Sequence, residues 1–126
     1  MSLRSPLGRV RGLGAAKEGV AHWWAQRLTA VALVPLSLWF VVSLAAMTGA
    51  DHATVRAWVA QPLVASLLVL LIAATFHHAY LGLQVVIEDY VHHEGAKLAS
   101  LLAIKAAAIL LAVIGVLSVL RLLFGG

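Results

Sequence analysis

The sequence predicts an all-α membrane protein with three transmembrane helices, and three observations predict it. Of its 126 residues, 63% are hydrophobic and only 11% are charged, whereas soluble domains carry about a quarter charged residues and close to half apolar ones. The apolar residues fall in three long blocks, near 28–47, 62–87 and 98–124. Each block reaches or exceeds the roughly 20 residues that a helix needs to cross the hydrocarbon layer. A helix is the open-ended structure that satisfies its own backbone groups in lipid, so these blocks are spans and not strands. The absence of cysteine excludes disulfides, thiolate-bound zinc, iron–sulfur ligation from this chain and a cysteine nucleophile. The net charge of +4 comes mainly from the N-terminus. Basic residues beside spans set topology, so no nucleic-acid partner is predicted.

Residues 1–20 read as a basic cytoplasmic arm, about its first fifteen residues disordered, carrying Arg4, Arg9, Arg11 and Lys17 against Glu18 alone. No short apolar segment with a cleavage site follows it, which argues against a removable targeting peptide. Residues 21–126 form one three-helix transmembrane domain. The first span is free of charge and contains Pro35, predicted to kink it. The loop 48–61 holds only Asp51 and Arg56. The excess of positive charge before the first span, Arg27 included, places the N-terminus in the cytoplasm and this loop outside. The second span is interrupted only by His77, His78 and Tyr80. The loop 88–97 is then cytoplasmic and the C-terminus lies outside, with Lys105 of the third span snorkelling inward. Trp23 and Trp24 suit the inner aromatic belt and Trp58 the outer one. An odd number of spans argues against an inverted-repeat transporter. Three short-looped helices bury little, so a membrane partner is expected in the bilayer.

The stretch 76–92 carries ionisable groups from mid-span to the inner surface. Such groups are costly in lipid and mark functional sites by default. His78, Gly82, Val85 and Asp89 follow an i, i+4, i+7, i+11 spacing. Eleven steps of about 100° return to within roughly 20° of the start, so the four share one stripe from which His77 and Tyr80 are excluded. At about 1.5 Å per residue, His78 lies roughly 17 Å from Asp89, near the middle of the membrane. Three readings of His78 stand at this point. It is a packed histidine bonded to a neighbouring helix, a member of a proton relay with Asp89, or an axial ligand of haem iron, whose bond would offset the cost of burial. Gly82, one turn from His78, either makes room for a flat macrocycle or packs against another helix. An acid at a helix C-terminus opposes the dipole, so Asp89 needs a nearby cation or a purpose. The adjacent Tyr90 phenol could donate a hydrogen bond to a quinone carbonyl. Arg27 is either a snorkelling topology residue or a partner for a carboxylate such as a haem propionate. His22, His92 and His93 are read as interfacial or loop residues, and His52 has no visible role.

The pattern His78-Ala79, Gly82, Gln84 and Asp89-Tyr90-Val91, with a first helix entered through 22–30 (HWWAQRLTA), resembles the hydrophobic membrane-anchor D subunits of succinate dehydrogenase (complex II). The extended form, from His77 to His92, is similar to the alphaproteobacterial and mitochondrial branch. That resemblance covers nearly the whole chain. It implies a three-helix unit packed against a partner anchor subunit around haem b, in a bacterial inner membrane. It implies His78 as one axial ligand of haem b, Tyr90 and Asp89 in the ubiquinone site, and Arg27 near a haem propionate. The implied partners are a flavoprotein subunit, an iron–sulfur subunit and a cytochrome b556 (C) anchor subunit, with no catalysis by this chain alone. Some relatives carry a histidine six residues before the first-helix arginine; here that position is Ala21, with His22 beside it. Two other functions stay open: the anchor of a fumarate reductase, and a small proton-conducting or transport subunit that uses His78 and Asp89.

Overall fold

The computed structural model describes residues 5–10 and 16–125. Among the described residues there are five helices and no strand: α1 (Pro6–Val10), α2 (Ala16–Ala46), α3 (His52–Val59), α4 (Pro62–Tyr90) and α5 (Glu94–Leu123). Three of them, α2, α4 and α5, are long and apolar enough to cross a membrane, as predicted. They contain 31, 29 and 30 residues. At about 1.5 Å per residue each outruns the roughly 30 Å hydrocarbon layer. Much of the surplus lies at the end predicted to be inner. There α2 begins at Ala16, well ahead of the apolar block, α4 runs on to Tyr90, and α5 starts at Glu94. Arg4 and Arg11 of the basic arm lie outside the described residues, as do the side chains of Arg9 and Lys17.

Local chemistry sets the helix ends. Pro62 sits at the start of α4, where its missing N–H is not needed. His93 caps α5: its Nδ1 accepts the Ala96 N–H at 3.1 Å. Glu94 in the first turn of α5 suits the positive end of the helix dipole. Pro35, predicted to kink the first span, lies inside α2 without ending it. Gly49 turns the chain after α2 with φ of 84°, a left-handed conformation that glycine adopts without steric cost. Ser43, Ser66 and Ser118 each donate their hydroxyl to the carbonyl four residues earlier, at 2.7 Å. Such back-bonding satisfies a hydroxyl where no water reaches it.

The segment between α2 and α4 is more than a connection. Asp51 caps α3 by accepting the Thr54 N–H at 2.9 Å. The Thr54 hydroxyl, and after it the Thr54 N–H, hold the Asp51 carboxyl below the usual carboxylate range. A lowered folded-state value means that this cap is at full strength above the ordinary carboxylate pKa and is lost as pH falls through the depressed one. The cap turns Trp58 back onto α2, where its ring stacks on Trp39 with centroids 5.8 Å apart and planes at 30°.

The spans form a row. α4 stands in the middle, with α2 on one side and α5 on the other, and α2 and α5 do not meet. The buried core, Val64, Ala65, Leu68 and Val119, lies where the start of α4 meets the end of α5, and Trp39, Phe40 and Trp58 pack over it. Much of the remaining apolar surface is exposed, including Leu28, Val31, Val34 and Leu38 of α2 and Leu110, Ile114 and Leu117 of α5. Lipid tails are as apolar as leucine, so helices in a bilayer associate through close packing and polar bonds rather than through escape from water. Gly115 supplies such packing. A Cβ there would lie 3.2 Å from Ile72 Cδ1 and 3.3 Å from its Cγ2. Gly115→Leu is expected to force α4 and α5 apart and cost about 1–3 kcal/mol, seen as a lower melting temperature of the detergent-solubilised protein. Adding Ile72→Ala should recover part of the loss; no recovery would contradict this contact.

Candidate functional site

The chemistry gathers at the α2–α4 interface, toward the start of α2 and the end of α4. On α2, His22, Gln26 and Thr29 are spaced i, i+4, i+7 and so share one face of an otherwise apolar helix. On α4, His78 and Gly82 do the same. These two faces meet. Thr29 Oγ1 lies 3.0 Å from His78 Nδ1. A Cβ placed on Gly82 would find Gln26 Nε2 at 3.9 Å and nothing nearer. His78 is half-buried in this contact, while its neighbour His77 is exposed.

The Thr29 hydroxyl is itself anchored, 2.7 Å from the carbonyl of Ala25 and 3.1 Å from that of Gln26. Thr29 therefore does what the back-bonded serines do and, in addition, reaches across to another span. Among the described residues, Nδ1 is the nitrogen of the His78 ring that has a hydrogen-bond partner. Gly82 differs from Gly115: the latter is packed tight by Ile72, whereas a Cβ on the former would meet the Gln26 amide of α2 at ordinary van der Waals distance. Two polar atoms on the same α2 stripe are buried with no partner among the described residues, His22 Nε2 and Gln26 Oε1. Buried polar atoms are ordinarily bonded, and an orphan signals an occupant or neighbour not yet accounted for.

The predicted stripe does not stay covered to its end. Val85 is 42% exposed and Asp89 is exposed. No ion pair of Asp89 is found among the described residues. Tyr90, the last residue of α4, is 77% exposed. Gln84 Nε2 donates to Glu88 Oε1 at 2.9 Å, an ordinary one-turn contact. Arg27 is exposed, with its guanidinium 5.4 Å from the centroid of the Trp23 ring. It lies roughly 160° around α2 from Thr29 and does not join the His78 cluster. Trp23 and Trp24 meet edge to face at 5.0 Å.

His77 takes a different position. It lines a groove of about 400 Å³ between α4 and α5 with Tyr80 and Lys105. It also borders a second groove, of about 370 Å³, between α2 and α4. Among the described residues, no three His, Cys, Asp or Glu side chains converge as a metal ion would require. His93 is engaged as the α5 cap and His92 is exposed. Sequence reasoning missed Thr29 and the burial of His22 and Gln26. The available signal was their helical spacing as the polar positions of an apolar face.

Residues 1–117 match a family model described as the succinate dehydrogenase/fumarate reductase transmembrane subunit. The chain is 33% identical over 107 residues to the succinate dehydrogenase hydrophobic membrane anchor subunit of Rickettsia bellii, covering 85% of this chain and 86% of that one. The protein of the same name from Paracoccus denitrificans is 31% identical over 86 residues, 68% of this chain and 67% of that one. The succinate dehydrogenase membrane anchor subunit of Reclinomonas americana is 31% identical over 96 residues, 74% of this chain and 80% of that one. With three candidate spans, the chain is a multi-pass membrane protein, and by this match it belongs to the transmembrane-subunit family of succinate dehydrogenase and fumarate reductase.

Proposed function

We propose that the chain is the membrane anchor of a succinate:ubiquinone oxidoreductase, that it gives one axial ligand to haem b, and that it forms part of the ubiquinone-reduction site. The anchor role follows the names of its relatives. The direction of flux does too, since those relatives are named for succinate dehydrogenase although the family includes fumarate reductase. The observation that carries the haem reading is His78 itself. It is a mid-span imidazole with Nδ1 bonded to Thr29, which leaves Nε2 as the nitrogen to offer to a metal. The orphaned Gln26 Oε1 and His22 Nε2 fit a group with polar edges seated beside this stripe. Arg27 stands on the other side of α2 from Thr29, over the Trp23 ring, so a charge-assisted pairing with a haem propionate would need its long side chain to leave Trp23 and reach round the helix. Bound there, haem b would supply a one-electron redox centre.

This chain's own part in quinone chemistry lies at the inner end of α4. The reduction consumes two electrons and two protons. Tyr90 would hydrogen-bond a quinone carbonyl through its phenol, and Asp89 would hand on protons from the water it faces. Both side chains are exposed on the isolated chain, which leaves them available to a pocket completed by other subunits. Asp89 stands at a helix C-terminus, where the dipole disfavours a carboxylate, without an ion pair among the described residues. A role in proton transfer gives that placement a purpose. The flavoprotein and iron–sulfur subunits would dock on this cytoplasmic side, beside the 1–20 arm. The cytochrome b556 (C) anchor subunit would complete the bundle and bring the second haem ligand. The membrane is read as the bacterial inner membrane.

His78→Ala should weaken or alter haem b in the visible spectrum while the anchor still assembles. An unchanged bis-histidine spectrum would remove the ligand assignment. Tyr90→Phe should lower quinone reduction far more than succinate oxidation by a soluble dye, and equal loss in both assays would point to faulty assembly instead. A reporter fused after Gly126 should be active outside the cytoplasm; activity inside would overturn the topology.

A further inference from the structure

The Thr29–His78 contact decides which nitrogen of the imidazole is available. A threonine hydroxyl has one proton and two acceptor lone pairs. The shortest contact of Thr29 Oγ1, 2.7 Å, is to the Ala25 carbonyl, with the Gln26 carbonyl at 3.1 Å. A carbonyl oxygen can only accept, so the hydroxyl proton belongs to it. The oxygen then has only lone pairs to present to His78 Nδ1 at 3.0 Å. A hydrogen bond at that distance requires the proton to be on Nδ1. A neutral imidazole carries one N–H, so Nε2 keeps its lone pair.

We infer that Thr29 is a positioning residue for the haem ligand: by accepting the Nδ1–H of His78, it fixes the tautomer in which Nε2 can bind iron, and it holds the ring in one orientation. The inference rests on the haem reading of the preceding section and adds the residue that prepares the ligand. The backbone bonds of Thr29 matter as much as its contact with His78. They consume the one proton that would otherwise favour the opposite tautomer, with Nε2 protonated and unable to coordinate. They also lock the hydroxyl to α2, so the orientation of the ring depends on the packing of α2 against α4. A partner that accepts from the distal nitrogen raises the basicity of a ligating imidazole, and losing such a partner typically weakens metal affinity about 10–100-fold.

The test uses the assembled complex, purified in mild detergent with Thr29 intact, Thr29→Val, Thr29→Ser or His78→Ala. Haem content, the low-temperature electron paramagnetic resonance spectrum of the oxidised haem and its midpoint potential are measured for each. Thr29→Val keeps the side-chain shape and loses the acceptor. It should release haem more readily, by about 10–100-fold in affinity, shift the resonance spectrum and raise the potential, because a less basic ligand stabilises ferric iron less. Thr29→Ser should restore all three. A Thr29→Val complex with the unaltered spectrum and potential overturns the inference, as does a Thr29→Ser complex that behaves like valine. Hyperfine spectroscopy on the unaltered complex with 15N-labelled histidine is independent of how any variant assembles. It should find iron bound through Nε2 with a proton on Nδ1, and iron bound through Nδ1 of this ring overturns the inference. If the unaltered complex lacks haem, or His78→Ala leaves a bis-histidine haem intact, the haem reading itself fails, a result distinct from an inert Thr29→Val.

Discussion

An imidazole in the middle of a span has two nitrogens and no water to satisfy either, and this constraint organises the half of the protein that holds the start of α2 and the end of α4. One nitrogen is satisfied within the chain by a hydroxyl on the neighbouring span, 3.0 Å away. That bond is available only because α2 and α4 lie side by side, with Thr29 and His78 at the same depth. The short connections, the capped α3 and the stacked Trp39 and Trp58 hold the end of α2 and the start of α4 together and so fix the register in which the polar faces at the opposite end meet. The other nitrogen is left to something outside the chain.

The same incompleteness recurs in the architecture. A row of three helices with α4 in the middle buries little on either broad face. In lipid this surface carries no penalty. The unsatisfied polar atoms do carry one, and on α2 they sit beside the contact between Thr29 and His78: Gln26 Oε1 one turn away and His22 Nε2 one turn further. An apolar face can be covered equally well by lipid or protein. Two buried polar atoms and a ring nitrogen without a partner among the described residues are groups that a polar neighbour would satisfy. A row of helices with so much apolar surface exposed agrees with relatives named as membrane anchor subunits of succinate dehydrogenase.

Much of this was legible in the sequence because the membrane leaves few choices. Long uncharged blocks must be helices, so the three spans follow from composition. The helical period alone separates His78 from His77, and the structure gives them different surroundings, one against Thr29 and the other exposed beside two grooves. The partner of His78 was not legible. Thr29 is 49 residues away in sequence, and no local pattern says which threonine will lie opposite which histidine once two helices pack. α3 escaped notice because it is only eight residues long and its main signal, Asp51 as a cap, is a single residue in a loop. Of the stripe from His78 to Asp89, the described residues of α2 meet the His78–Gly82 portion, and Val85 and Asp89 are exposed on this chain.

The most direct measurement is a density map of the assembled complex at a resolution that shows the His78 ring plane. The account predicts Nε2 directed at a porphyrin iron and Nδ1 facing Thr29 Oγ1. A ring turned toward acyl chains with no porphyrin beside it, or one that meets the iron through Nδ1, would contradict it.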